Sequence, residues 1–88
     1  MKIIDSLTVV IYTSDELKTI LEGNNSYIYI YFGNDITLTS GINIFSTKTN
    51  ITIDGTYENS RYTFTDMKNL SGSSAISVVN SRSFKYSS

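Results

Sequence analysis

The sequence contains no cysteine, histidine, proline or tryptophan. Without cysteine the chain has no disulfide framework and no thiolate zinc site, and without histidine it lacks the Ser-His-Asp triad and the commonest metal ligand. Seven basic residues balance eight acidic ones, for a net charge of -1, which argues against nucleic acid as a partner. No apolar run approaches the ~20 residues of a membrane-spanning helix, so membrane insertion is not expected.

Small polar and β-branched residues dominate the rest of the composition. Serine, threonine and asparagine account for 33 of the 88 residues, isoleucine for 12 and tyrosine for 7, whereas alanine, the best helix former, occurs once. Isoleucine, threonine and tyrosine favour a pleated, half-buried surface, and serine and asparagine favour turns. The composition therefore predicts one domain of short strands joined by polar turns.

One short helix is predicted near the start, over residues 14–22. Thr13 or Ser14 can serve as its N-cap, and Glu16 stands at the capping-box position that pairs with Thr13. Three apolar residues at helical spacing give the helix one buried face: Leu17, Ile20 and Leu21. Gly23 supplies the C-terminal stop.

The chain from residue 27 to residue 88 alternates short strands and turns. Apolar or aromatic strand positions recur at intervals of 22 to 26 residues in two series: Ile28, Ile51 and Ile76, and Ile36, Tyr62 and Phe84. Such a period is typical of a solenoid, in which stacked turns bury one another's inward side chains. We therefore predict a mainly β fold, a short right-handed parallel β-helix. Residues 27–88 form about three turns, and residues 1–26 form an N-terminal strand and capping helix of the same domain.

An antiparallel β-sandwich is the alternative fold, because Asp54-Gly55 could form a hairpin turn. The eight residues between Ile53 and Tyr62 are long for such a hairpin, and the strands are shorter than sandwich strands usually are. In the β-helix, no capping element follows Tyr86. The sequence thus predicts continuation or self-association through an open C-terminal end.

Three tyrosines alternate with apolar residues in segment 27–32 and share the outward face of one predicted strand: Tyr27, Tyr29 and Tyr31. Aromatic rings with hydroxyls at their tips suit sugar stacking and protein interfaces. These tyrosines are therefore the candidate ligand-binding residues. The competing interpretation is that the N-terminal strand or a later loop covers the face they form.

The acidic residues provide no catalytic or metal-binding pattern. Calcium needs six to eight oxygen ligands, and the sequence contains no D-x-D or D-D pair. Asp35 and Asp54 each follow a predicted strand and are turn formers by residue type. No catalytic residue, metal or cofactor is therefore assigned.

Three short segments carry a family resemblance: Thr13–Leu17, Asn34–Ile36 and Asn50–Gly55. Together they resemble the opening of the pectate-lyase-like adhesive domains, which are right-handed parallel β-helices of bacterial surface proteins. The resemblance implies a non-catalytic, extracellular adhesion or structural module with a surface glycan or protein as partner.

An alternative function is the N-terminal part of a carbohydrate-active β-helix enzyme. Such an enzyme, a polysaccharide lyase or a glycoside hydrolase, would have its catalytic turns beyond residue 88. Under either reading the export route is not visible, because Asp5 interrupts the first apolar run and no cleavable signal peptide is recognisable.

Overall fold

The computed structural model describes residues 1–39, 41–45, 50–66, 76–79 and 84–86. These residues form a mainly β fold with one helix, which confirms the prediction from composition. The elements in chain order are β1 (Lys2–Ile3), β2 (Thr8–Ile11), α1 (Ser14–Glu22), β3 (Tyr29–Phe32), β4 (Ile36–Leu38), β5 (Ile51–Asp54), β6 (Thr56–Tyr57), β7 (Ser60–Arg61), β8 (Phe64–Asp66), β9 (Ile76–Val79) and β10 (Phe84–Tyr86).

Two sheets built mainly from parallel strands make up most of the fold. The first has the order β1-β2-β3-β5-β9, and its neighbours are parallel except for β1, which runs antiparallel to β2. The second has the order β10-β8-β4 and is entirely parallel. Strands β6 and β7 form a separate antiparallel hairpin. These parallel ladders are not those of an antiparallel sandwich.

Inward side chains stack in columns across the first sheet. Val9, Ile30 and Ile53 lie side by side on β2, β3 and β5, and each is fully buried. Ile51 lies beside Ile76, as the interval between them in the sequence predicts. Each strand therefore buries its apolar face against strands that are distant in the sequence, which contributes roughly 1.5–3 kcal/mol per large side chain.

The second sheet corrects one predicted position. Phe64, rather than Tyr62, lies between Ile36 and Phe84 in this sheet. The backbone N–H of Tyr62 donates to the carbonyl oxygen of Gly55 at 2.7 Å, which keeps Tyr62 at the base of the β6–β7 hairpin. The second sheet therefore resumes at Phe64, two residues later than expected.

The two sheets meet in one apolar core. The rings of Phe32, from the first sheet, and Phe64, from the second, are in edge-to-face contact, with centroids 5.2 Å apart and an interplanar angle of 82°. The helix contributes its predicted apolar face to the same core, which comprises Val9, Ile11, Leu17, Ile20, Leu21, Ile30, Phe32, Ile36, Leu38, Ile51, Ile53 and Phe64.

Helix α1 begins with a modified capping box. Thr13 is the N-cap, and its Oγ1 accepts a hydrogen bond from the backbone N–H of Glu16 at 3.1 Å. In return Glu16 Oε1 accepts from the N–H of Tyr12 at 2.7 Å, one residue before the usual partner. Its Oε2 accepts from the Met1 ammonium at 2.7 Å. Glu16 thus ties the first residue of the chain to the start of the helix.

The end of α1 fixes the segment that follows β4. Gly23 is extended, with φ of -87°, rather than left-handed as is common for a glycine at this position. A Cβ at Gly23 would come within 2.8 Å of the Thr19 carbonyl oxygen, so close packing explains the glycine. The carbonyl oxygen of Leu21 accepts from the N–H of Phe45 at 2.9 Å, which fastens residues 41–45 to the helix.

Substitution of Gly33 should test the packing at the end of β3. The Tyr12 ring occupies the space that a Cβ at Gly33 would need. We expect Gly33→Ala to lower the free energy of unfolding by about 1–3 kcal/mol, as overpacking usually does. Gly41→Ala is the matched control, because no described atom lies within 4 Å of its added Cβ. Urea unfolding followed by circular dichroism measures both variants, and equal midpoints would contradict the expected clash.

The Glu16 carboxylate should make the stability dependent on pH. Hydrogen bonding to the N-terminal ammonium, and then to the Tyr12 N–H, lowers the pKa of Glu16 below its ordinary value of 4.5. The stabilisation is therefore complete above that value and is lost as the pH falls through the lower pKa of the folded state. We expect Glu16→Gln to cost about 1 kcal/mol at neutral pH and to become neutral well below pH 4.5. Parallel stability curves for the two proteins across this range would exclude the effect.

Candidate ligand-binding face

The outer face of the first sheet carries a column of outward side chains that includes Tyr29. Thr8, Tyr29 and Thr52 lie side by side on β2, β3 and β5. Adjacent strands are about 4.8 Å apart, so a threonine flanks the Tyr29 ring on each side. Tyr29 is 44% exposed. This column therefore places the exposed Tyr29 ring between two threonine residues, of which Thr8 hydrogen-bonds Asp5 through its side chain.

The three candidate tyrosines do not form one strip. Tyr29 and Tyr31 point outward from β3, as predicted. Tyr27 lies before the strand and packs partly buried against the core. Its N–H donates to Asn25 Oδ1 at 3.2 Å, which places it in the turn after the helix. Alternation fails at Tyr27 because the ladder between β3 and its neighbours begins only at Tyr29.

The β6–β7 hairpin covers Tyr31. The ring centroids of Tyr31 and Tyr57 are 6.4 Å apart at an interplanar angle of 43°, and both side chains are partly buried. The ammonium of Lys2 lies 5.8 Å from the centroid of the Tyr57 ring. Hydrogen bonding with the Tyr57 side chain and its negative charge when ionised raise the pKa of Lys2, and the charge of Glu58 adds to this rise. The hairpin thus covers Tyr31 and leaves Tyr29 exposed.

Asp54 begins the hairpin as a turn former, as predicted. Its Oδ1 accepts from the backbone N–H of Thr56 at 2.9 Å and from the Thr56 hydroxyl at 2.6 Å. At the tip, Glu58 and Asn59 have φ of 51° and 68°. Positive φ at both central residues is the requirement of a type I′ hairpin turn. The hairpin therefore has a tight two-residue turn, and it begins directly after β5.

Two open recesses flank the hairpin. One, of about 450 Å³, includes Tyr31, Tyr57, Glu58 and Arg61 in its lining. The other, of about 640 Å³, is lined partly by Asp35 and again by Arg61. Arg61 therefore reaches both sides of the hairpin. The sequence offered no signal for Tyr57, Glu58 or Arg61, because the contact between the hairpin and β3 is long-range.

The charges around the hairpin are balanced. Glu58 lies near Lys2 and shares a recess with Arg61, and Asp54 adds a second negative charge at the entry of the hairpin, so the surface is not a strong field of one sign. Asp35 Oδ1 accepts from the N–H of Thr63 at 2.9 Å, so Asp35 joins the segment after β3 to the segment before β8, whereas Asp54 orders a turn. Within the described ranges, no three histidine, cysteine or acidic side chains group as metal ligands. The arrangement suits reversible binding of a ligand by stacking and hydrogen bonding.

Comparison with protein-family models, with curated proteins and with solved structures found no match to this chain. Among the described residues, α1 is too short and too polar to span a bilayer.

Coupling between Tyr31 and Tyr57 should be measurable as a free energy. Aromatic pairs of this geometry contribute about 0.5–1.5 kcal/mol beyond the area they bury. A double-mutant cycle with Tyr31→Ala and Tyr57→Ala should give a coupling in that range in urea unfolding. The control cycle pairs Tyr57→Ala with Thr37→Ala, an exposed position on β4 in the other sheet. If both cycles give couplings below about 0.3 kcal/mol, the hairpin is not held by this contact.

Proposed function

We propose that the chain is a non-catalytic adhesion or structural module that presents the outer face of its first sheet to a surface glycan or protein. The face contains Tyr29 and, beside it, the Tyr31–Tyr57 pair. The family resemblance of the sequence supports an extracellular, cell-surface location. No step of catalysis is part of the proposal, which is consistent with the use of Asp54 in a turn and of Asp35 in a hydrogen bond to the Thr63 backbone.

The proposal includes a parallel β-helix as the architecture. Its support is the order of the strands, because β3, β5 and β9 of the first sheet are each followed by one strand of the second, namely β4, β8 and β10. Each such pair would be one turn. Helix α1 follows β2 and packs on β4, where a strand of the second sheet would otherwise lie. The helix would thus cap the stack, and β9 and β10 would form the end open to continuation or self-association.

The exposed ring of Tyr29 is the observation that carries the proposed binding role. An aromatic ring that is 44% exposed does not contribute fully to the core. Its register neighbours on the same face are Thr8, whose side chain hydrogen-bonds Asp5, and Thr52. Aromatic side chains with polar tips are enriched at interfaces because they give apolar contact and hydrogen bonding together. Tyr29 therefore has the environment of a contact residue.

Tyr29→Ala is the direct test of this role. The labelled protein is applied to an array of neutral and acidic glycans and to an array of extracellular-matrix proteins. We expect Tyr29→Ala to weaken the observed binding about tenfold or more, since an aromatic contact of this kind contributes 1–2 kcal/mol or more. The thermal midpoint should fall by no more than a few degrees, because Tyr29 is 44% exposed and loses only part of its packing.

Thr37→Ala is the control, because Thr37 is exposed on β4 in the other sheet. It should bind as the unsubstituted protein does. Equal binding by Tyr29→Ala would remove the outer face from the proposal. Shortening of a bound glycan during incubation would contradict the non-catalytic role and favour the enzyme alternative.

A further inference from the structure

The tip of the β6–β7 hairpin contains a residue that its backbone conformation does not favour. Three described non-glycine residues have positive φ: Asn50, Glu58 and Asn59. Asparagine tolerates this region because its short side chain bonds locally, whereas glutamate has no such compensation. Asparagine or glycine at both tip positions is the usual sequence of a type I′ turn. Glu58 therefore holds a conformation that an ordinary hairpin residue would adopt with less strain.

Strain of this kind points to a role for the side chain. Residues in sparsely populated backbone regions concentrate at binding sites, where the surrounding structure maintains them. Here two contacts maintain the hairpin, namely the Asp54–Thr56 bonds at its entry and the hydrogen bond from Tyr62 to Gly55 at its base. The tip is therefore held in place independently of Glu58.

The Glu58 side chain lies where a ligand of the outer face would reach it. Glu58 and Arg61 line the same recess as Tyr31 and Tyr57. Within residues 1–39, 41–45, 50–66, 76–79 and 84–86, neither Glu58 nor Arg61 forms an ion pair, since the ion pair found there joins Met1 to Glu16. The carboxylate and the guanidinium thus lie in the same recess as the two tyrosine rings and do not form an ion pair with each other.

The recess is an open depression of about 450 Å³ whose lining can contact one side of a small ligand. A carboxylate accepts hydrogen bonds from hydroxyl groups, a guanidinium donates them, and a tyrosine ring packs against C–H groups. Around the hairpin the negative charges of Glu58 and Asp54 equal the positive charges of Lys2 and Arg61, so an ionic ligand gains no net attraction.

We propose that Glu58 and Arg61 bind the hydroxyl groups of one neutral sugar residue that enters the recess bordered by Tyr31 and Tyr57. This assignment rests on the proposed function and makes it specific, because it selects neutral glycans from the glycans and proteins considered above. It also makes Glu58 a ligand-binding residue that the chain retains at the expense of hairpin stability.

The test separates binding from stability at a single position. The full chain is titrated by NMR with cellohexaose, mannohexaose and xylohexaose, and with hexagalacturonate as the acidic comparison. Glu58→Gln keeps the side-chain length and the strained backbone, so it should leave the thermal midpoint unchanged and weaken binding of a neutral hexasaccharide about tenfold. Glu58→Asn relieves the strain, so it should raise the thermal midpoint by about 3–6 °C and still weaken binding.

Asp15→Asn is the matched control, because it removes one negative charge from an exposed helix position away from the hairpin. It should bind as the unsubstituted protein does. Opposite changes in stability and affinity for Glu58→Asn would support the assignment, since a purely structural residue cannot produce them.

Three results would overturn it. Unchanged affinity in both Glu58 variants would mean that the carboxylate does not contact the ligand, and loss of binding in Tyr29→Ala alone would then leave the proposed function intact. Tighter binding of hexagalacturonate than of every neutral sugar would assign the recess to acidic ligands. Absence of binding to all four sugars would reject the sugar site, whereas Tyr29-dependent binding to a protein would still uphold the proposed function.

Discussion

Burial of inward side chains by neighbouring strands that are distant in sequence is the constraint on which the rest of this molecule depends. A strand of three or four residues buries too little surface to be stable alone. Val9, Ile30 and Ile53 become inaccessible only when β2, β3 and β5 lie in register. A slip of one residue would expose the whole apolar set. The core therefore forms only when the strands pair in the correct register.

This constraint acts mainly on the inner face, with Val10 also buried on the outer face. The connections between strands are free to differ. The chain passes from β3 to β4 through residues 33–35, whereas from β5 to β8 it passes through residues 55–63, which contain the hairpin. Insertions of this kind are tolerated because they do not alter the inward columns. The hairpin then docks on the outer face through Tyr57 and Tyr31. The candidate site therefore lies on the outer face, where packing of the core restricts the sequence least.

Local signals in the sequence were sufficient for the helix but not for the site. The N-cap at Thr13 and the spacing of the apolar face predicted the bounds of α1, because capping and helical periodicity involve residues three or four apart. The Ile51–Ile76 pairing followed from the repeat interval. The repeat could not place Phe64, since the position of that residue depends on the hydrogen bond that closes the hairpin at Tyr62. No pattern in the sequence indicated the Tyr31–Tyr57 contact, because it joins outward side chains of β3 and β6, which are distant in the sequence.

The strained backbone conformation of Glu58 can persist because the hairpin is anchored to the first sheet. A backbone conformation that costs roughly 1–3 kcal/mol persists only if the surrounding structure imposes it, and an isolated two-stranded hairpin has little stability of its own. Here the entry is fixed by Asp54 and the base by Gly55, which is itself buried and donates its N–H to Val79 on the neighbouring strand. The hairpin is thus anchored in the ladder of the first sheet. The stability of that ladder allows the tip to hold a carboxylate that a free hairpin would disfavour.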